Sequence, residues 1–488
     1  MTAALLLWTL LALPALCGLL CIAFRTVPRI MMLIRAGVVL TAVVAGASLL
    51  AAHGSGTLST AYEWLRLDAL SAYHLAVMML VFTLSSLYLP GYFQGELTHQ
   101  EARRFGMLWF GALTAMTLVL ISGNIGIMWA GIEATTLVTA FLICIHRQRE
   151  SIEAMWKYLI ICSVGVAFAF MGTLLAGAAA NGLRLPPSQA LLWTRLSENA
   201  ANLDPVLIKV AFLFLLVGYG TKAGLAPLHS WLPDAHSQAP APVSALFSGF
   251  MLNAALYCIM RYMPIVEASS GHAGWSLHLL QLFGLASILL AATFIIFQHD
   301  LKRLLAYHSV EHLGIIAVGL GLGGLGVFAA LLHTLNHSIC KSLSFFAAGR
   351  LGQMYGTHDM GKMSGSLRAS PVWGTGLFGS LLVLIGVAPF AIFMSEFLIL
   401  RAAAKSGSYW TLGLFLAGAG IVFVGALQHA INIAWGTPES TPKPERVNAV
   451  DKAIVAVSLG ALLVLGLWIP APLSELLTNA AHIVEGTP

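Results

Sequence analysis

Charged residues are scarce in this sequence. Asp, Glu, Lys and Arg together make up 9% of the 488 residues, whereas 58% are hydrophobic. So little charge excludes an ordinary soluble globular domain and predicts a protein that crosses the bilayer many times. The net charge of +5 does not indicate nucleic-acid binding, because basic residues of membrane proteins collect in cytoplasmic loops.

Cofactor motifs are also absent from the sequence. The six cysteines include no C-x-x-C pair and, apart from Cys17 and Cys21, fall singly in apolar stretches, which indicates small core residues rather than a disulfide or an iron–sulfur site. There is no phosphate-binding glycine motif and no dinucleotide fingerprint. We therefore expect no cofactor and no metal, and the energy for any transport must come from a second ion gradient or a partner enzyme.

Long apolar runs dominate the chain. Runs of about 20 residues, the length that a bilayer demands, predict an all-α polytopic membrane protein with about fourteen transmembrane helices. The first run lacks a basic n-region and a convincing cleavage site, so we expect a span and not a signal peptide. The predicted spans are 3–24, 30–52, 67–90, 105–121, 123–145, 153–178, 206–232 with a break, 240–262, 273–298, 302–321, 325–349, 372–401, 409–434 and 449–472.

The basic residues predict an orientation. Most Arg and Lys residues lie in the loops that follow odd-numbered spans. Because cytoplasmic loops carry the excess of basic residues, we expect these loops in the cytoplasm. Both termini are then expected on the outer side of the cytoplasmic (inner) membrane. The loop 179–205, which follows an even-numbered span, also carries basic residues and departs from this pattern.

Two predicted spans are interrupted by Gly and Pro next to an ionisable residue. Span 7 breaks between Lys222 and Pro227, and span 12 breaks around Gly386 and Pro389, shortly before Glu396. Broken segments at matching positions of two halves indicate inverted-topology repeats with an ion path at their interface. An offset of five spans inverts the orientation, as such repeats require.

This offset predicts how the single membrane domain, 1–488, is divided. Spans 4–8, residues 105–262, match spans 9–13, residues 273–434, as two five-helix repeats. Three N-terminal helices in 1–104 precede them, and a C-terminal helix at 449–472 follows.

Lys222 lies at membrane depth, late in an apolar stretch. A lysine near the bilayer centre costs roughly 2.5 to 3.5 kcal/mol, so such residues commonly mark ion paths or counter-ions. Glu133 in span 5 is a natural partner, because at ~7 Å and an effective dielectric of about 20 the attraction is roughly 2.4 kcal/mol. Making or breaking this pair could move a proton. A structural ion-pair role for Glu133 is the alternative interpretation.

Span 11 carries the clearest helical pattern, His333, His337 and Lys341 at i, i+4 and i+8. At ~1.5 Å rise per residue they line one face at intervals of ~6 Å, which suits an intervening water, and imidazole exchanges protons near neutral pH. Span 10, the repeat partner of span 5, carries Glu311 and His312. Polar contacts between helices and haem ligation are the alternatives, but haem would leave Lys341 unexplained.

Other polar residues complete the candidate set. His229 and His236 lie by the broken helix, Glu396 lies on span 12, and Asn253 is a polar residue in span 8. We expect Asp234 to cap the re-entrant segment rather than to carry protons, because its neighbours place it in a turn.

The run KAGLAPLHSWLPDAHSQAP at residues 222–240 resembles the signature of antiporter-like proton-translocating subunits of respiratory complex I, Mrp antiporters and membrane-bound hydrogenases. The resemblance extends from about span 3 to span 13 and includes Glu133, the stripe of span 11 and the region of Glu396. It implies fourteen spans, two inverted five-helix repeats and a central hydrophilic axis.

The resemblance also implies residue roles. Glu133 and Lys222 match the paired switch of spans 5 and 7, Lys341 matches the central relay lysine, and Glu396 matches the terminal acidic group on broken span 12. The two histidines of span 11 match those that precede the central lysine.

Some residues depart from complex I relatives. Asn253 stands where those relatives typically have a lysine, and Glu311 and His312 stand where they have a serine–glutamine type sequence. These features resemble the F-type membrane component of hydrogenase-4 and related formate hydrogenlyase-type complexes. We expect Glu311 and His312 to replace the missing lysine station.

The resulting hypothesis is a proton-translocating subunit of a group 4 [NiFe]-hydrogenase or formate hydrogenlyase-type complex, with no redox centre of its own. It implies a hetero-oligomer with other membrane subunits and a peripheral hydrogenase-like redox module, embedded in lipid. The alternatives are a Na⁺/H⁺ antiporter-type subunit, a complex I NADH–quinone oxidoreductase M-type subunit and a non-conducting membrane anchor. An anchor has no reason to bear several costly buried charges.

Overall fold

The computed structural model describes residues 3–183, 185–186, 188–437, 442–444 and 447–486. Most of these residues form α-helices joined by short loops. One small antiparallel hairpin pairs Leu58–Ser59 (β1) with Arg66–Leu67 (β2), with Leu58 opposite Leu67.

The first half of the chain contains helices α1 to α11. Side-chain caps begin several of them: Asp68 accepts the Ser71 N–H at the start of α3, and Asn124 accepts the Gly126 N–H at the start of α5. The bounds are α1 Ala3–Leu20, α2 Val27–Ser55, α3 Ala69–Tyr92, α4 His99–Ile121, α5 Ile125–Ile143, α6 Arg149–Ala179, α7 Trp193–Glu198, α8 Pro205–Ala223, α9 Leu232–Gln238, α10 Ala241–Leu246 and α11 Leu252–Ser269, with 3₁₀ turns at Asn181–Leu183 and Ala200–Asn202 and a π-helical segment at Phe247–Met251.

The second half contains helices α12 to α20. Asp300 caps α13 by accepting the Arg303 N–H at 2.9 Å, and Ser370 caps α16 in the same way through Trp373. The bounds are α12 Trp275–Ile296, α13 Leu301–Leu322, α14 Leu325–Tyr355, α15 Ser366–Ala369, α16 Pro371–Leu384, α17 Ala391–Lys405, α18 Tyr409–Trp435, α19 Ala449–Leu467 and α20 Ala471–Glu485.

Among the described residues, twelve helices are long and apolar enough to cross a membrane, with α10, the π-helical segment and α11 forming one of them. These twelve correspond to predicted spans 1–10, 13 and 14. Predicted span 11 is α14, which carries the polar stripe, and predicted span 12 is the pair α16 and α17, of 14 and 15 residues. The prediction of an all-α polytopic membrane protein is confirmed.

Several boundaries differ from the prediction. Span 7 was expected to end at 232, but α8 ends at Ala223 and the second half of this broken helix is α9, at Leu232–Gln238. The loop 179–205 contains α7, and α20 follows the predicted C-terminal helix and packs against α3, α11 and α14. Such short helices lack the apolar run of about 20 residues that marks a span.

The two breaks have similar local geometry. After α8 the chain turns at Gly224 (φ 77°), three residues before Pro227, and after α16 it turns at Gly386 (φ 71°), three residues before Pro389. Glycine adopts such positive φ values at no steric cost. The likeness is what inverted repeats require, and the repeat assignment of 105–262 and 273–434 stays a prediction.

The polar residues lie in the interior of the helical array. The segments Ala241–Ser269 and Leu301–Leu322 are buried along their whole apolar windows, whereas fewer than half of the residues are buried in the apolar windows of α1, α2, α6, α12, α18 and α19. Polar side chains on these two segments are therefore shielded from lipid.

Candidate functional site

Lys222 is held by neutral oxygens and an aromatic ring. It occupies the last turn of α8, beside the break, and is fully buried. Its ammonium donates to Thr136 Oγ1 at 3.0 Å and to the Tyr158 hydroxyl, and it lies 4.6 Å from the centre of the Tyr158 ring. The same hydroxyl shares a 2.7 Å hydrogen bond with Thr139.

Glu133 does not touch Lys222. Ser163 donates to its Oε1 at 3.2 Å, and its buried Oε2 has no hydrogen-bond partner among the described residues. Glu133 lies one turn before Thr136 on α5, so the two charges are connected through α5 rather than by an ion pair. The predicted couple is thus brought to neighbouring positions without direct contact.

Lys341 is the corresponding buried cation of the second half. Its ammonium donates to the Leu305 carbonyl and lies 5.0 Å from the centre of the Phe345 ring. Nearby on α13, Glu311 Oε2 and His308 Nδ1 are 2.9 Å apart, and both side chains are buried. This lysine, like Lys222, therefore has an uncharged oxygen and a ring as its immediate neighbours.

The histidines form one cluster across two helices. His333 and His337 lie on α14 as the spacing predicts, and His312 on α13 lies between them, with ring centres 5.1 Å and 5.2 Å away. His312 Nδ1 and His333 Nε2 are 2.9 Å apart, and His333 Nδ1 is 2.9 Å from Ser395 Oγ. His312 thus bridges the gap along α14 for which the sequence suggested a water.

Glu396 follows Ser395 on α17 and lies over the second break. A Cβ built on Gly386 would be 2.5 Å from Glu396 Oε2, which shows how closely the carboxylate approaches the turn. Glu396 is partly exposed, whereas Ser395 is fully buried. The end of the histidine cluster is therefore one residue away from this carboxylate.

The remaining histidines have different surroundings. His236 on α9 is fully buried and stacks on Phe345, with ring centres 4.9 Å apart, so this ring contacts both His236 and Lys341. Neither ring nitrogen of His236 has a hydrogen-bond partner among the described residues. His229 lies in the break, 6.2 Å from the Tyr307 ring.

Asp234 is not the turn cap that the sequence suggested. It lies inside α9, where it accepts hydrogen bonds from Lys157 and, at 2.6 Å, from Arg303. Lys302 donates to the Ser237 and Ala239 carbonyls at the end of the same helix. Cations from α6 and α13 therefore fix the second half of broken span 7.

Sequence reasoning missed a buried ion pair outside the relay. Arg261 makes two 2.7 Å hydrogen bonds to Asp68, and both side chains are buried. Tyr257 accepts from the Arg261 Nε, and the Trp193 ring lies 4.9 Å from the guanidinium. The pair joins α3 to α11. In the sequence, Asp68 lies at the start of predicted span 3 and Arg261 at the end of predicted span 8. Hydropathy alone does not show that these two residues meet.

The described residues contain one group of metal-type ligands, His308, Glu311 and His312, with ligand atoms within 4.8 Å of one another. His308 and Glu311 are hydrogen-bonded to each other, and His312 to His333. Imidazole and carboxylate groups in such contact can exchange protons. The geometry therefore suits proton transfer among protein groups.

Comparison with known proteins gives the family. Residues 122–422 match the family described as NADH:quinone oxidoreductase/Mrp antiporter, TM. The hydrogenase-4 component F homolog of Methylacidiphilum infernorum is 42% identical over 354 residues, which cover 72% of this chain and 74% of that protein. The hydrogenase-4 component B of Escherichia coli is 29% identical over 447 residues, 87% of this chain and 65% of that protein.

A solved structure shares the fold. One chain of the membrane-bound sulfane sulfur reductase, an archaeal respiratory membrane complex, matches with a TM-score of 0.87 at 24% identity, covering 98% of this chain and 97% of that chain. The chain therefore shares its fold with one chain of this complex over almost its full length.

Proposed function

The chain belongs to the family of NADH:quinone oxidoreductase and Mrp antiporter membrane subunits, and from that premise we propose that it moves protons through the membrane as an antiporter-like subunit of a redox-driven, hydrogenase-type complex. The observation that carries the proposal is the buried contact series Ser395, His333, His312 and His337, with Lys341 one turn beyond on α14. Placing such a series of exchangeable groups at membrane depth costs free energy, and this cost favours a functional role over a purely structural one.

The proposed path has two sections. Protons enter near Lys222 and Glu133 in the first half. In the second half they pass Glu311, His312 and the stripe of span 11 and leave by Glu396. His236 contacts the second section through Phe345, and His229 lies beside the first break. The direction of proton movement depends on the membrane orientation and on the driving reaction.

The side chains favour protons over sodium. Sodium, a hard cation, prefers oxygen ligands, as calcium and magnesium do, whereas the central cluster presents mainly imidazole nitrogens and a lysine. Glu311 accepts a contact from His308, and the one group of metal-type ligands in the described residues holds Glu311 with two histidines. A Na⁺/H⁺ antiporter-type subunit is therefore the second candidate, and the transport assay separates the two.

We expect the driving reaction to occur in partner chains. The relatives are named as components of hydrogenase-4, which supports a hetero-oligomer with other membrane subunits and a peripheral redox module. In this arrangement the chain itself transfers no electrons. An NADH–quinone oxidoreductase of complex I type is the alternative assembly within the same family.

An affinity tag on the chain tests the assembly. The complex is isolated from mild detergent, its subunits are identified by mass spectrometry, and dye quenching is followed in inverted vesicles after addition of the matching electron donor. We expect hydrogenase-type subunits and acidification that does not require sodium. Copurification of Mrp-type subunits alone, or transport that stops without sodium, would favour the antiporter candidate instead.

The orientation is part of the proposal, with both termini outside. It is tested with single cysteines and a membrane-impermeant maleimide, since all six native cysteines are buried. Tyr62→Cys, in the loop after α2, should react only after permeabilisation if that loop is cytoplasmic, and should react in intact cells if it is outside. Because α2 is the second predicted span, the proposal places the loop with Tyr62 outside. It places the loop after α3, which contains Glu96, in the cytoplasm, so Glu96→Cys should react only after permeabilisation. The reverse result would invert the orientation.

A further inference from the structure

The two sections of the path are separated by the π-helical segment Phe247–Met251. Its first residue, Phe247, lies 6.0 Å from the Tyr158 ring, and the sulfur of its last residue, Met251, lies 3.7 Å from the Tyr158 hydroxyl that binds Lys222. Thioether and phenyl groups carry no proton. The contacts of the first section therefore end against this segment.

The other face of the segment contacts the second section. Ser248 and Ser309 share a 2.8 Å hydrogen bond, and Ser309 donates to the Leu305 carbonyl at 3.1 Å. The same carbonyl accepts the Lys341 ammonium. Ser309 thus shares its acceptor with Lys341, and Ser248 reaches this site through Ser309.

Asn253 holds this segment in place. Its Nδ2 donates to the Gly249 carbonyl inside the π turn at 3.2 Å and to Ser338 on α14 at 3.5 Å. The side chain is 1% exposed, yet its Oδ1 has no hydrogen-bond partner among the described residues. A buried polar atom of this kind is commonly satisfied by an internal water, and π turns are frequent at functional sites.

We infer that Asn253 is a positioning residue that binds water at the π-helical segment, and that this water connects the Tyr158 side with Ser248 and Ser309. Each water or hydroxyl accepts one proton from its neighbour and passes one on, so none of them carries a lasting charge, and the last hydroxyl gives its proton to the Lys341 amine. The Leu305 carbonyl passes no proton and only holds Ser309 and Lys341 side by side. Asn253 stands where complex I relatives typically have a lysine. A neutral side chain with a bound water would thus take the place of a titratable group. The inference rests on the proposed function and concerns only the step in which a proton passes from the first section of the path to the second.

Paired variants of the assembled complex test this role. Asn253→Leu keeps the volume and removes both hydrogen-bonding groups, so we expect proton translocation per donor turnover to fall by about tenfold. Asn253→Ser keeps a polar group with room for water and should retain most of the activity. Ser309→Ala should resemble the leucine variant. Ser344→Ala removes a buried hydroxyl whose hydrogen bond among the described residues is to its own helix, so it should resemble the parent.

The results separate the inference from the function on which it rests. Normal translocation in Asn253→Leu would overturn the inferred water connection at Asn253, and so would equal losses in Asn253→Ser and Asn253→Leu. Either result would do so even if Lys222→Ala abolishes transport. Normal translocation in Lys222→Ala would overturn the proposed function itself. If the leucine variant does not assemble, a water-resolving electron cryomicroscopy map of the parent complex decides: density within hydrogen-bond distance of Asn253 Oδ1 supports the inference, and its absence refutes it.

Discussion

At the residue scale, the two central lysines share one kind of environment. Lys222 binds hydroxyls beside the Tyr158 ring, and Lys341 binds a carbonyl beside the Phe345 ring. Neutral partners stabilise an ammonium less than a carboxylate would, and they leave no unpaired charge when the lysine gives up its proton. This arrangement makes both lysines suitable as reversible proton carriers.

Tyr158→Phe tests the environment of Lys222. Removing the hydroxyl takes away one partner of the ammonium and its connection to Thr139, so proton translocation should fall by about tenfold with normal assembly. Dye quenching in inverted vesicles measures the effect. Tyr262→Phe is the matched control, because that buried hydroxyl bonds Thr173 and not a lysine. Equal losses in the two variants would contradict a specific role of Tyr158.

Arg261→Met tests the buried ion pair that joins α3 to α11. The change leaves the buried Asp68 with the longer 3.6 Å contact to Arg66 as its remaining charged partner among the described residues, so we expect a loss of about 3 kcal/mol in stability and poor assembly. Thermal unfolding of the purified complex gives the readout. Arg195→Ala breaks an exposed pair with Glu198 and should cost about 0 to 1 kcal/mol. An unchanged melting temperature in Arg261→Met would exclude a stabilising role for the pair.

The site residues were only partly predictable from the sequence. Glu311, His312, Lys341 and the other ionisable candidates stand out because charge is rare in apolar spans. Their partners do not, since Tyr158 is a common core residue and its contact with Lys222 joins positions 64 residues apart. Individual side-chain directions decide such contacts, and hydropathy does not report them.

At the scale of elements, the breaks position the ionisable groups. The turn at Gly224 lies two residues after Lys222, and the turn at Gly386 lies under Glu396. The Gly and Pro residues made both breaks predictable from the sequence. The limits of the second half of span 7 were not predictable, because α9 has only seven residues and no apolar run of its own.

Gly386→Ala tests the second break. Its Cβ would lie 2.5 Å from Glu396 Oε2, and the positive φ of 71° adds backbone strain, so the carboxylate must move and translocation should fall. Gly407→Ala is a close control, since Gly407 has φ 70° and no atom of the described residues lies within 4 Å of the added Cβ. If both variants transport protons alike, the contact with Glu396 has no functional importance.

At the scale of the whole molecule, burial separates two classes of helix. The central segments Ala241–Ser269 and Leu301–Leu322 are enclosed by others, and the outer helices expose apolar side chains where lipid is expected. Composition alone predicted the membrane location and the helical class, because no soluble fold tolerates so much apolar surface. It could not predict which helices are central, since every span is apolar.

The central claim is that buried ionisable groups of this chain carry the transported protons. The most direct test compares Lys341→Met with Lys362→Met, a lysine in an exposed loop, by donor-driven acidification of inverted vesicles that contain equal amounts of assembled complex. We expect Lys341→Met to lose acidification by more than about tenfold and Lys362→Met to match the parent. Equal acidification by all three proteins would contradict the account.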